Sequence, residues 1–204
     1  MDAEWHDFSE CSFGGRDNDV LALISEEDLT FFTFDGLKRR TGLHPETLSR
    51  ILGRLEQEGI VEKGPVGYKV TSKIDGFLRF HPRCVGKSNT PLLQTFLPSD
   101  TLVPQLVSNL RGKWFGLLRW LGLSESSEGI TLKWNTEDGD IQVDANISER
   151  TLTIEAKFLH DKDFNMALKA SYQLIAYIGR LCSSSHLTRR VAYFGDSHLD
   201  LMPA

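Results

Sequence analysis

The stretch Thr41–Val61, TGLHPETLSRILGRLEQEGIV, decides how the first third of the chain folds. Gly42 closes whatever precedes it in a tight turn. His44-Pro45-Glu46-Thr47 then opens a helix, with proline where a missing N–H costs nothing. Leu48, Ile51, Leu52 and Leu55 recur at helical spacing and form a buried stripe. Glu46, Thr47, Ser49, Arg50, Gly53 and Arg54 are left facing outward, and Glu58-Gly59-Ile60 stops the helix. Upstream, Phe34–Arg40 reads as a second helix with Asp35 near its start. Val20, Leu21, Leu23 and Ile24 make a shorter first one, capped at Asp17 or Asn18. Downstream, 60–63 and 68–71 flank the turn Gly64-Pro65-Val66-Gly67, which predicts a two-stranded hairpin. Helix, glycine turn and a last helix with a polar outer face suit the major groove of duplex DNA, which admits one helix.

This stretch resembles the winged helix-turn-helix of bacterial and archaeal regulators, closest to the cyclic-AMP-receptor and fumarate-nitrate-regulator type, with MarR and ArsR types behind. In that family the Glu, Ser and Arg of an E-T-x-S-R run face base edges, which here are Glu46, Ser49 and Arg50. Arginine can fork onto guanine and glutamate can accept from cytosine N4. The resemblance implies double-stranded DNA as partner, no cofactor for binding it, and an interface built from His44, Glu46, Thr47, Ser49, Arg50 and Arg54. Lys63, Tyr68 and Lys69 on the wing would touch phosphates, contacts that set register without reading sequence. The alternative for the arginines is pairing at i,i+4 spacing, Arg50 with Glu46 and Arg54 with Glu58.

Charge limits what such binding can be. The 204 residues carry a net charge of −5, with 40% hydrophobic and 25% charged residues. Residues 17–75 hold eight Lys/Arg against eleven acids, whereas residues 76–99 hold three basic residues and no acid. No part is strongly basic, so DNA contact must come from a local face rather than from indiscriminate attraction. The cysteines, Cys11, Cys84 and Cys182, are far apart and odd in number, which implies no disulfide framework. His6 with Cys11, or His81 with Cys84, lacks the paired spacing of a zinc site. With no apolar run long enough to span a bilayer, the expectation is a cytoplasmic protein without a membrane partner. The chain divides into a flexible N-terminus (1–16), a winged helix (17–75), a linker containing Pro82, Pro91 and Pro98 (76–100) and an α/β unit (101–204), an α+β or α/β two-domain arrangement.

In that last unit, Leu102–Leu123 reads as a helix burying Leu106, Leu110, Trp114, Leu117, Leu118 and Leu121. Trp114, Phe115 and Trp120 give it more aromatic surface than one face can bury, and the spare face is expected at a homodimer interface. Three strands follow at 130–134, 140–147 and 151–158, then a long helix from Phe164 to Leu181 and a strand at 190–194, giving the order αβββαβ. Glu155 and Lys157, two apart on a strand, share one face, and hairpin pairing can bring Asp144 to it. Adjacent Asp and Glu suit a hard cation such as Mg²⁺, and a lysine beside it could help deprotonate an attacking water.

The set Asp144…Glu155-Ala-Lys157, with Gln173-Leu-Ile-Ala-Tyr177 on the next helix, resembles the restriction-endonuclease-like superfamily and its RecB-type nucleases. The resemblance implies metal ligands at Asp144 and Glu155, a catalytic Lys157, and supporting Gln173 and Tyr177. Asp140 is the alternative to Asp144, and the acid that such nucleases often carry on the first helix is absent between Leu102 and Gly122. The leading expectation is a dimeric, sequence-specific DNA binder of transcription-regulator type with a nuclease-like C-terminal fold. The alternative is a Mg²⁺-dependent DNA endonuclease delivered by its winged helix.

Overall fold

A computed structural model describes residues 15–74, 89–159 and 163–195. Residues 1–14 of the expected flexible N-terminus, the two zinc alternatives and most of the expected linker therefore lie outside the described residues, while Gly15 and Arg16, expected to be flexible, are helical.

The first helix, α1 (Gly15–Glu26), buries Val20, Leu21, Leu23 and Ile24. The second, α2 (Phe34–Thr41), begins at Thr33, whose hydroxyl accepts from the Gly36 N–H at 3.2 Å. It ends at Gly42, which takes a left-handed φ of 65° while its N–H donates to the Lys38 carbonyl, the usual helix stop that only glycine adopts without strain. Helix α3 (Pro45–Gln57) starts on its proline and buries Leu48, Ile51, Leu52 and Leu55. The hairpin follows as β2 (Val61–Gly64) and β3 (Gly67–Val70). α2, α3 and the hairpin fall where the apolar spacing and turn residues place them, whereas α1 begins at Gly15, so that Asp17 and Asn18 lie in its first turn rather than capping it.

A two-residue strand, β1 (Phe31–Phe32), went unread in the sequence, yet it joins the halves of the molecule. Phe31 pairs with Lys69 on one side and Leu123 on the other, and Phe32 with Tyr68 and Gly122. Because successive strand residues point to opposite faces, Phe32 enters the core of α1, α2 and α3 while Phe31 packs against the other core. The result is one eight-stranded antiparallel sheet, ordered β2-β3-β1-β5-β6-β7-β8-β4. Its remaining strands are β4 (Thr90–Phe96), β5 (Leu118–Ser126), β6 (Gly129–Thr136), β7 (Ile141–Ser148) and β8 (Thr151–Phe158).

Three expectations are corrected. The helix expected over 102–123 is only α4 (Val103–Leu110), and Leu118–Ser126 is a strand. Gly112 and Gly116, with φ of 74° and 54°, turn the chain between them. A strand covered on both faces reads as a continuous apolar run, which mimics a buried helix. Trp114 and Leu117 are exposed instead of buried, while Phe115 and Trp120 lie in the core. The expected linker contains β4, an edge strand on β8 with a register shift at Pro91, as proline in a sheet requires. The strand expected at 190–194 belongs to α5 (Phe164–Gly195), since no glycine or proline interrupts 181–194. The unit thus runs α, four strands, α. No described helix is long and apolar enough to cross a membrane.

Close approach fixes the seam between the halves. A Cβ on Gly36 would sit 2.6 Å from the Leu121 Cα and 2.8 Å from its carbonyl oxygen. Gly36→Ala is expected to lose about 1–3 kcal/mol by overpacking against backbone. Gly53→Ala, in α3 with nothing within 4 Å of the added carbon, gains about 0.4–1 kcal/mol. Urea unfolding of both variants checks the pair, and equal midpoints would contradict it.

Candidate nucleic-acid interface and buried polar cluster

The outer face of α3 carries the residues expected to meet DNA. His44, Glu46, Ser49 and Arg50 are exposed and Thr47 is partly so. Arg50 and Glu46 approach only to 4.0 Å, and both side chains are 75% exposed, so the pair is loose and the guanidinium stays in solvent. Arg54 is engaged differently from either reading. Its Nε donates to Oδ2 of the buried Asp17 at 3.2 Å and a second N–H donates to Oδ1, clamping α3 to α1. On the hairpin, Lys63 and Lys69 are exposed, whereas Tyr68 is buried and stacks on Phe32 with ring centroids 5.5 Å apart. Tyr68 thus faces the helical core.

The acid–lysine set of the C-terminal strands lies on the sheet face turned toward α1 and α2. Asp144 pairs across strands with Lys133 on β6 and Glu155 on β8, and Gln142 pairs with Lys157, so all five share one face. At the centre stands a residue the sequence reading missed, Glu27, just past α1. Its Oε1 accepts from Lys157 Nζ at 2.7 Å and from Arg40 at 3.2 Å; its Oε2 accepts from Gln142 at 2.7 Å and from Lys133 Nζ at 3.4 Å. Lys133 also donates to Asp144 Oδ2 at 2.9 Å, and the Gln142 amide donates to Asp144 Oδ1 at 3.0 Å. A cleft of about 880 Å³ opens over Lys133, Asp144 and Lys157. One signal could have exposed Glu27: the run Glu26-Glu27-Asp28 ends a helix, where the macrodipole disfavours acids unless something else compensates them.

Electrostatics follow from this packing. Burial pushes the Glu27 carboxyl up, but the Lys133 and Lys157 ammonium groups and the Gln142 amide outweigh it and hold the group at about 2 against an ordinary 4.5. For Lys133, burial pulls down, while Asp144 and Glu27 pull up and prevail. Asp144 is shifted up, by burial first and by the neighbouring Glu27 charge, against the opposing Lys133.

The arrangement does not fit a Mg²⁺ site. The lone pairs of Asp144 are met by Lys133 and Gln142, and Glu155 accepts from Asn89 Nδ2 at 2.8 Å. Among the described residues no three His, Cys, Asp or Glu side chains are grouped to hold a metal. Gln173 and Tyr177 are not brought to this cluster: the Gln173 side chain lies against Gly116, and the Tyr177 ring packs on Phe115 at 4.8 Å in the core of α4 and α5. Asp140 sits in the β6–β7 turn, its N–H donating to Asp138 at 3.0 Å. Comparison with family models, curated proteins and solved structures found no match.

Since Glu27 has a depressed pKa, its contribution is fully present above about pH 4.5 and is lost as the pH falls through about 2. Glu27→Gln is expected to lose about 3–5 kcal/mol near neutrality, because it leaves lysines buried without their carboxylate, and to flatten the acid limb of stability. Urea midpoints of parent and variant between pH 7 and pH 2 measure both effects; an unchanged acid limb would mean that the network does not form.

Proposed function

We propose that the chain is a sequence-specific double-stranded DNA-binding protein of transcription-regulator type, reading the major groove with α3 and touching phosphates with the β2–β3 wing. The observation that carries this reading is the exposed row His44, Glu46, Ser49 and Arg50 on one face of α3, its arginine in solvent. Apolar residues fill the opposite face of the same helix, so the polar row is available for recognition rather than for packing. The chain works as a homodimer in this reading, because one helix covers too few base pairs and paired half-sites about one helical turn apart supply the rest.

The C-terminal acid–lysine cluster serves this function as a mount rather than as a nuclease centre. Glu27 and Arg40, from the DNA-reading half, are ion-paired or hydrogen-bonded to Lys133, Gln142 and Lys157 of the sheet. These bonds hold α3 in a fixed direction relative to the C-terminal strands, and a carboxylate already saturated by ammonium and amide donors offers no opening for a cation.

Two experiments test the reading. Arg50→Ala is expected to remove sequence preference, since a bidentate base contact discriminates by about 1–3 kcal/mol. Lys69→Ala weakens all duplexes alike and lowers the salt slope by about 1. Competition binding on a selected-duplex library measures both, and variants indistinguishable from the parent would overturn the assignment of α3. In parallel, plasmid and short duplexes incubated with Mg²⁺ or Mn²⁺ are expected to be retained and uncut. Metal-dependent cleavage that Lys157→Ala abolishes would establish the endonuclease instead.

A further inference from the structure

Beside the wing lies a second cleft, of about 620 Å³, lined by Lys63, Lys69, Glu62, Phe31, Glu125 and, from outside the helix-turn-helix, Arg111. Arg111 follows α4, and its guanidinium carbon stands 4.0 Å from the centre of the Phe31 ring. The ring is fixed in turn: Phe31 is paired in β1 between Lys69 and Leu123, and a Cβ on Gly67 would come within 2.6 Å of its edge. Phe31 therefore sits between the wing backbone and the arginine, and no side chain larger than glycine fits at position 67 without moving it.

An arginine stacked on an aromatic face keeps its N–H donors directed outward in the plane of the guanidinium. Among the described residues Arg111 has no hydrogen-bond or ion-pair partner for those donors, and Lys63 and Lys69 have none either. Its position contrasts with Arg40, Arg54 and Arg119, each of which meets a carboxylate. An unengaged fork held on the Phe31 ring, beside a wing whose Lys69 shares the sheet face of that ring, matches the charge of a phosphodiester strand.

We propose that Arg111 is a DNA-backbone contact supplied by the C-terminal unit, so that the DNA interface is composite and includes the cleft between wing and α4. The proposal rests on the DNA-binding reading above and adds to it a contact outside the helix-turn-helix. Glu62, which faces Lys69 across the hairpin, and Glu125 lie in the same cleft. They restrict it to a strand docked in register, because a misplaced phosphate would meet a carboxylate.

The test is salt-dependent binding of the full chain to a 30-base-pair duplex bearing the selected site and to a scrambled duplex. One phosphate contact accounts for a salt slope of about 0.9, or a roughly fourfold share of the affinity lost between 50 and 200 mM salt. Arg111→Gln is expected to lose that share on both duplexes, Arg111→Lys to keep the slope, and Lys113→Gln, two residues on and outside the cleft, to behave as the parent. Arginine modification of the unmutated protein by phenylglyoxal, read by mass spectrometry, gives an answer independent of how the variants fold. Bound duplex should protect Arg111 together with Arg50. A parent that binds while Arg111→Gln keeps the full slope, or Arg50 protected while Arg111 is modified freely, overturns the composite interface and leaves the α3 reading intact. A parent that binds no duplex overturns both.

Discussion

The carboxylate of Glu27 is the point on which the two halves of the molecule depend. It accepts from Arg40 on α2, Lys133 on β6, Gln142 on β7 and Lys157 on β8, and its side chain is 1% exposed. A carboxylate cannot be moved to such a place unless its charge and lone pairs are met, and here both are met almost entirely from the opposite half of the chain. Arrays of this kind add less to stability than well-packed apolar side chains of the same volume would. Their distinguishing property is directional: apolar surfaces slide over one another at small cost, while four donors on two oxygens admit one orientation. For a protein whose proposed task is to present α3 and the wing at a fixed angle, that is the useful quality.

The two-residue strand Phe31–Phe32 complements this constraint at the backbone level. It hydrogen-bonds to β3 on one side and to β5 on the other, so the hairpin is continuous with the C-terminal sheet. Gly36 and Gly122 permit the approach, since a Cβ at either would strike backbone of Leu121, Phe31 or Phe32. The side chains then divide the work, Phe32 stacking with Tyr68 in one core and Phe31 bracing Arg111 over the other. Ionic bonds on one face of the sheet and backbone ladder through its middle leave little freedom for the halves to move separately.

How far the sequence could be read follows from which signals were local. Helices α1 to α3 and the hairpin announce themselves by apolar spacing, by Pro45 and Gly42, and by the Gly64–Gly67 turn. Strands β6 to β8 do so by alternation. The segment after Leu110 was illegible for a physical reason: β5 is covered on both faces, so Leu118, Trp120, Leu121 and Leu123 are all buried and no period distinguishes strand from helix. β1 and β4 are short or proline-containing and acquire their conformation from partners distant in the chain. The site was half legible for the same reason. Asp144, Glu155 and Lys157 do share a face, which strand period and register fix. That Lys133 would satisfy Asp144, and that Glu27 would arrive from another helix, are facts of tertiary packing with no local trace beyond an acidic run at a helix end.

The same residues therefore illustrate what an acid–x–lysine pattern can and cannot say. Two carboxylates on one sheet face need positive charge nearby, and either a bound cation or an ammonium can provide it. In this chain, lysines do: Lys133 between Glu27 and Asp144, and Lys157 on Glu27. Pairing inward also shapes what is left outside. The network of Glu27, Asp144, Arg40, Lys133 and Lys157 carries an excess of positive charge, so the rest of the chain is more acidic than its net −5 suggests. Long-range attraction to a polyanion is then weak or repulsive. On the proposed reading, a duplex would be held by contacts such as Arg50 on α3 and Lys63, Lys69 and Arg111 about the hairpin, all of them exposed. If α3 reads DNA as proposed, binding is favourable only when those contacts and the base contacts of α3 form together, and a net acidic charge then favours discrimination between sequences, because charge alone does not hold the duplex.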